Sequence, residues 1–286
     1  MTGKVRCNFW NGLLLACLLN PLPVSAGQDL AKQSQNPLAT VISVPFENDV
    51  YFGIGPSDAT AYALNTKPVY PVSLGSWNLI NRGIIPIIHS EGQDPDELPP
   101  GLTPPELGLS GQLQLVEGSE WGLSDITYQG FFSPKNSGDW VWGLGPVLVL
   151  PTATKDRYAS DKWSVGPGFV ALTMPGKWVI GVLGQNVWSF AGDSDAADVN
   201  KLLFQYFINY NLDNGWYLSS TPTITANWEA DSGNRWTIPF GGGAGRLFKV
   251  GKQPVDISLK GYWNAEKPDA GPDWSLAFTV KFLFPK

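Results

Sequence analysis

Apolar and polar residues alternate one by one along much of this chain. Between Trp274 and Phe284, the side chains of Trp274, Leu276, Phe278, Val280, Phe282 and Phe284 share one face, and Ser275, Ala277, Thr279 and Lys281 share the other. A period of two is the mark of a strand with one greasy and one polar face. The 11 residues from Trp274 to Phe284, at about 3.3 Å each and tilted by about 40°, span close to the ~25 Å apolar band of an outer membrane. A single stretch of this kind also fits a half-buried strand of a soluble sandwich. Similar stretches, separated by turn chemistry, predict strands at 43–54, 60–72, 77–88, 123–132, 140–151, 163–173, 178–190, 201–212, 216–228, 235–247, 255–265 and 274–284, twelve in all.

The connections decide between the two readings. Leu74-Gly75-Ser76, Met174-Pro175-Gly176-Lys177 and Asp213-Asn214-Gly215 read as tight hairpins. They, with the short links 133–139 and 249–254, alternate with connections such as 89–122, 152–162, 191–200 and 266–273, which are longer and mostly acidic. Short periplasmic turns alternating with longer outer loops are the habit of transmembrane barrels. The tryptophans agree. Trp77, Trp140, Trp178 and Trp216 follow predicted turns, Trp121, Trp163, Trp236 and Trp274 begin returning strands, and Trp188, Trp228 and Trp263 lie near outer strand ends. Two aromatic belts at two interfaces are expected of such a wall. The pattern therefore predicts an all-β, transmembrane, antiparallel up-and-down barrel of about 12 strands with both termini in the periplasm. Pro68, Pro86, Pro146, Pro167, Pro222 and Pro239 fall inside the proposed strands and predict breaks or bulges, since proline cannot donate to a ladder.

Composition narrows this further. Only 15% of residues are charged and 13% are aromatic, against about 25% charged in ordinary soluble domains. Outside the N-terminus no run of 18 apolar residues exists, so a helical membrane protein is excluded. Residues 1–26 read as a signal peptide: Lys4 and Arg6 precede the apolar Gly12–Leu19 stretch, and Val24-Ser25-Ala26 offers a cleavage site. A rival reading is that Leu14-Leu15-Ala16-Cys17, which loosely resembles a lipoprotein box, offers Cys17 as an acylation site. Cys7 and Cys17 both lie in this segment, so a cleaved chain has no thiol chemistry and no disulfide. The excess of acid over base speaks against a nucleic-acid partner. Residues 27–42 form an N-terminal segment and a candidate plug, ahead of a barrel spanning 43–286.

On the inward face, Gln205, Asn209, Asn211, the run Tyr217, Ser219, Thr221, Thr223, Thr225, Asn227, and Asp256, Ser258, Lys260, Tyr262, Asn264 give a wettable wall. Val147, Val149, Val170, Leu172, Leu183 and Val187 give an apolar one, set among glycines. Three explanations stay open: a plug packs there through Leu30, Leu38 and Val41; a greasy solute slides along it; or a proline bulge inverts the faces. Glu47, Lys67, Arg82, Asp125 and Lys260 are the charged candidates for a selective constriction or for bracing ion pairs, with Asp125 as the carboxylate nearest Arg82.

Catalytic chemistry is sparse. The one histidine, His89, precedes Ser90, but neighbours in a strand point to opposite faces, so a dyad between them is not expected. Gly241–Gly245 lacks the helix a phosphate loop needs, and Asp193, Asp195 and Asp198 miss calcium-loop spacing. No enzyme activity, metal or cofactor is expected. Gln93–Pro105, rich in Asp, Glu and Pro, reads as an outer loop.

The segments Leu30–Pro37, Ile42–Phe46, Phe52–Pro56, Gly143–Pro146, Leu150–Thr154 and Phe282–Lys286 together resemble a family of Gram-negative outer-membrane transporters related to the phenol-degradation meta-pathway (MetA-like) proteins. The aromatic terminal strand likewise resembles the closing strand of bacterial outer-membrane barrels, with Pro285 and Lys286 added. The resemblance implies an outer-membrane barrel of a Gram-negative bacterium that passes small molecules, including hydrophobic or aromatic ones; it supplies no catalytic residues. Lipid, lipopolysaccharide and the barrel-assembly machinery, engaged through the last strand, are the expected partners of a monomer. A structural or ligand-binding barrel acting through its outer loops, and a rim hydrolase using His89, are the alternatives.

Overall fold

A computed structural model describes residues 19–20, 24–90, 106–107, 111–112 and 119–285. Most of the expected signal segment, including Cys7 and Cys17, and the Gln93–Pro105 loop lie outside the described residues. Helix α1 (Val24–Gln35) precedes twelve staves. They are β1 (Ile42–Ile54), β2 (Ala59–Thr66 and Val69–Leu74), β3 (Trp77–Ser90), β4 (Glu120–Leu123 and Ile126–Pro134), β5 (Trp140–Leu150), β6 (Lys162–Thr173), β7 (Trp178–Gly192), β8 (Asn200–Asn211), β9 (Trp216–Ser220 and Thr223–Asn227), β10 (Trp236–Val250), β11 (Gln253–Glu266) and β12 (Trp274–Phe284). Each stave pairs antiparallel with its neighbours. β12 returns to β1, from Trp274 opposite Phe52 to Phe284 opposite Ile42, and closes the barrel. Closure leaves no unpaired edge, which hydrocarbon would not tolerate.

The barrel has a turn end and a loop end. At the turn end, Asn214 and Gly215 take positive φ (56° and 78°), the backbone a tight β8–β9 reversal requires. Trp77, Trp140, Trp178, Trp216, Trp121, Trp163, Trp188, Trp228, Trp263 and Trp274 are all exposed on the outer wall, and Trp236 is partly so.

The prolines are absorbed without loss of a stave. Pro68 and Pro222 sit where β2 and β9 divide, and Pro239 lies beside a register shift. Pro146 and Pro167 face each other across β5 and β6. On its other side each lies in a gap of the ladder: β5 to β4 jumps from Leu144–Phe132 to Val147–Gln129, and β6 to β7 from Val165–Trp188 to Gly168–Gln185. The preceding glycines let the neighbouring backbones close in. A Cβ on Gly145 or Gly166 would lie 1.7 Å from the carbonyl oxygen of Gly130 or Asn186.

The interior is divided lengthwise. Val147, Val149, Val170, Leu172, Leu183 and Val187 all point inward and are buried, so no proline bulge inverts the faces of β5–β7. Val170, Leu172 and Leu183 join Ile80, Phe131, Val179 and Phe207 in one cluster that also takes in Leu38. Phe131 fills the dent at Gly168, whose absent Cβ would lie 3.0 Å from the ring. Half of this barrel therefore contains a packed apolar core rather than a lumen.

Candidate functional site

Open space lies against the other half of the wall. β1 contributes Glu47, Asp49 and Tyr51 at alternate positions, and β9 contributes Ser219, Thr221, Thr223 and Thr225 across its break. β11 adds Asp256, Ser258, Lys260 and Tyr262. Two chambers follow one another along the axis. The one toward the loop end measures about 150 Å³ and is bounded by Asp49, Tyr51, Thr225, Tyr262 and Asn264. The one toward the turn end measures about 180 Å³ and is bounded by Asn209, Tyr217, Asp256, Thr279 and Lys281. Glu47, Lys67, Arg82, Gln205, Thr221 and Lys260 line both, and so form the belt between them.

Of the five charged candidates, four meet in this belt. Glu47 and Lys67 form an ion pair. They sit on the β1–β2 hairpin, where Glu47 is opposite Asn65, two residues before Lys67. Lys260 donates to Thr221 Oγ1 at 2.9 Å. Arg82 lies opposite Gln129, and its buried Nη1 has no hydrogen-bond partner.

Asp125 is a correction. Fully buried, it stands at the loop end, where it accepts hydrogen bonds from the backbone N–H groups of Thr152, Ala153 and Ser160 at 3.0, 3.1 and 2.8 Å. It clamps the β5–β6 connection and is no partner of Arg82. Gln129 holds the place opposite Arg82, and Asp125 is four residues farther along β4, about 13 Å at strand rise. Asp125→Ala would leave those partly buried donors unanswered. We expect a loss of about 3 kcal/mol, read as an earlier urea midpoint, with pore properties unchanged.

Sequence reasoning passed over part of the site. Asp49 is buried and accepts from Asn65 Nδ2 at 3.0 Å; its parity with Glu47 was the available signal. Lys281, on the polar face of β12, donates to the Ser34 carbonyl at 2.7 Å. Asp256 accepts from the Ser34 hydroxyl and from Tyr217 at 2.7 Å. Gln35 and Asn211 exchange amide hydrogen bonds of 2.9 and 3.2 Å. Ala31 and Val41 pack with Leu247 and Leu283, with Leu30 against them. α1 and the coil after it thus close the turn-end chamber. Beyond them a recess of about 710 Å³ shares Gln33 and Val41 with that chamber.

His89 and Ser90 diverge as strand geometry demands. Ser90 turns inward to the Tyr158 hydroxyl at 3.0 Å. His89 stacks on Trp121, with its Nε2 3.1 Å from the Ser119 hydroxyl and its Nδ1 3.2 Å from the Glu120 carbonyl.

The chain is similar to a known family and to solved structures. The family described as "Putative MetA-pathway of phenol degradation" matches residues 45–279. Among solved structures, the COG4313 outer membrane channel from Pseudomonas putida F1 is 16% identical, with 85% of this chain and 94% of that chain covered at a TM-score of 0.61. The NanC porin is 8% identical, with 86% and 100% covered and a TM-score of 0.48. The Pseudomonas putida toluene transporter TodX is 9% identical, with 88% and 93% covered and a TM-score of 0.41. No curated protein matches in sequence.

Proposed function

The chain belongs to the family described as putative MetA-pathway of phenol degradation, and we propose that it is a narrow outer-membrane channel for passive passage of small molecules. The observation that carries this is the pair of chambers in series, joined at a charged belt and stopped at one end by α1. In this reading the turn end, with both termini, faces the periplasm, and the N-terminal segment is a plug. Apart from Leu183, which also lines the loop-end chamber, the apolar wall is not the route, because Val170 and Leu172 pack in the cluster with Leu38, and Val147, Val149 and Val187 pack with Val199. Solutes pass on the polar side, where a ring-sized apolar body still finds Ile84, Leu183 and Leu203.

The test is conductance in planar bilayers, with and without residues 27–40. The full chain is expected to give small or rare steps and the truncated chain larger ones, since the segment that blocks the turn-end chamber is gone. Silence from both proteins, each shown to be folded, would defeat the channel reading.

A further inference from the structure

The belt contains more positive charge than its own acids neutralise. Lys67 is answered by Glu47. Asp49 and Asp256 accept from the neutral donors Asn65, Ser34 and Tyr217. Lys260 and Lys281 donate to neutral oxygens, those of Thr221 and Ser34. With the Glu47–Lys67 pair set aside, Arg82, Lys260 and Lys281 face Asp49 and Asp256, three cations against two carboxylates. One positive charge is left over along the two chambers of a chain whose net charge is −6. Arg82 is the sharpest case, because its buried Nη1 lacks a partner. An unanswered buried guanidinium nitrogen is costly, and a planar fork of donors matches a carboxylate.

The space beside it sets the rest of the ligand. The loop-end chamber, at about 150 Å³, is near the size of an engineered cavity that holds one benzene. Ile84, Leu183 and Leu203 offer it an apolar side, while Thr221, Thr223 and Thr225 line the other. We propose that the belt binds a small organic carboxylate, its acid group on Arg82 and Lys260 and its single-ring body against Ile84, Leu183 and Leu203. This deepens the channel reading by naming the solute class that pauses in it.

Saturation-transfer NMR on the purified full chain, with benzoate, benzyl alcohol and inorganic phosphate as probes, tests it. Benzoate is expected to bind, with both other probes at least about tenfold weaker because each lacks half of the recognition. Arg82→Gln and Lys260→Gln should each weaken benzoate about tenfold; Arg82→Lys, which keeps the charge but not the fork, should fall between Arg82→Gln and the native chain, and the turn-end variant Lys252→Gln should keep the binding. Heat-modified gel migration confirms that each variant is folded, and the second belt variant decides if the first is not. Benzyl alcohol equal to benzoate, phosphate equal to benzoate, or benzoate binding unmoved in the folded belt variants would overturn the proposal. Binding without conductance would leave the site standing and remove the channel; conductance without binding would do the reverse.

Discussion

Phe131→Ala is expected to cost about 3–5 kcal/mol of barrel stability, the usual range for truncating a buried aromatic. Phe131 is 0% exposed and lies within the interior cluster against the Gly168 dent. Its neighbour provides the contrast. Phe132 is 44% exposed on the outer wall, and there the side chain trades protein contacts for lipid, so Phe132→Ala should cost only about 0.5 kcal/mol. Urea unfolding in phospholipid vesicles, followed by tryptophan fluorescence, measures both. Equal losses would mean that the interior cluster is not a core. Leu38 belongs to the same cluster, so Phe131→Ala should also loosen the N-terminal segment and raise current fluctuations, an effect Phe132→Ala cannot have.

The contrast between Phe131 and Phe132 shows how far the sequence could be read. The period of two assigns the faces correctly through β5–β7, because it is local and survives the Pro146 and Pro167 gaps, where two residues still oppose two. Turn chemistry fixes the number of staves and which end carries the turns. What fills the barrel is not local. That Leu38 meets Ile80, Phe131 and Val170 depends on the curvature of the closed wall. That Ser34 meets Asp256, 222 residues away, depends on where the segment enters. Register failed where no turn sets it. Glu47 and Lys67 share a short hairpin, and their pairing was within reach of counting. Arg82 and Asp125 are separated by the long β3–β4 connection, whose length leaves the offset free, and Gln129 took the place given to Asp125.

Arg82→Glu should invert the ion preference of the pore. The Glu47–Lys67 pair is neutral, and Arg82, Lys260 and Lys281 against Asp49 and Asp256 leave the two chambers with one positive charge, which the substitution turns into one negative charge. The substitution changes the charge beside a passing ion by two units. At about 5 Å in a water-like medium that is about 1.7 kcal/mol, close to fifteenfold for each ion and opposite in sign for cations and anions. Reversal potentials in a potassium chloride gradient should therefore move from the chloride side to the potassium side, with Arg82→Gln between them. Ionic strength gives an internal check, since exposed charges are screened within about 10 Å at 0.1 M salt and the difference must shrink as salt rises. Asp125→Asn, at the loop end and bound to three backbone N–H groups, should leave the potential where it was. If Arg82→Glu leaves it there too, the belt sets no selectivity, and its charges only brace the wall.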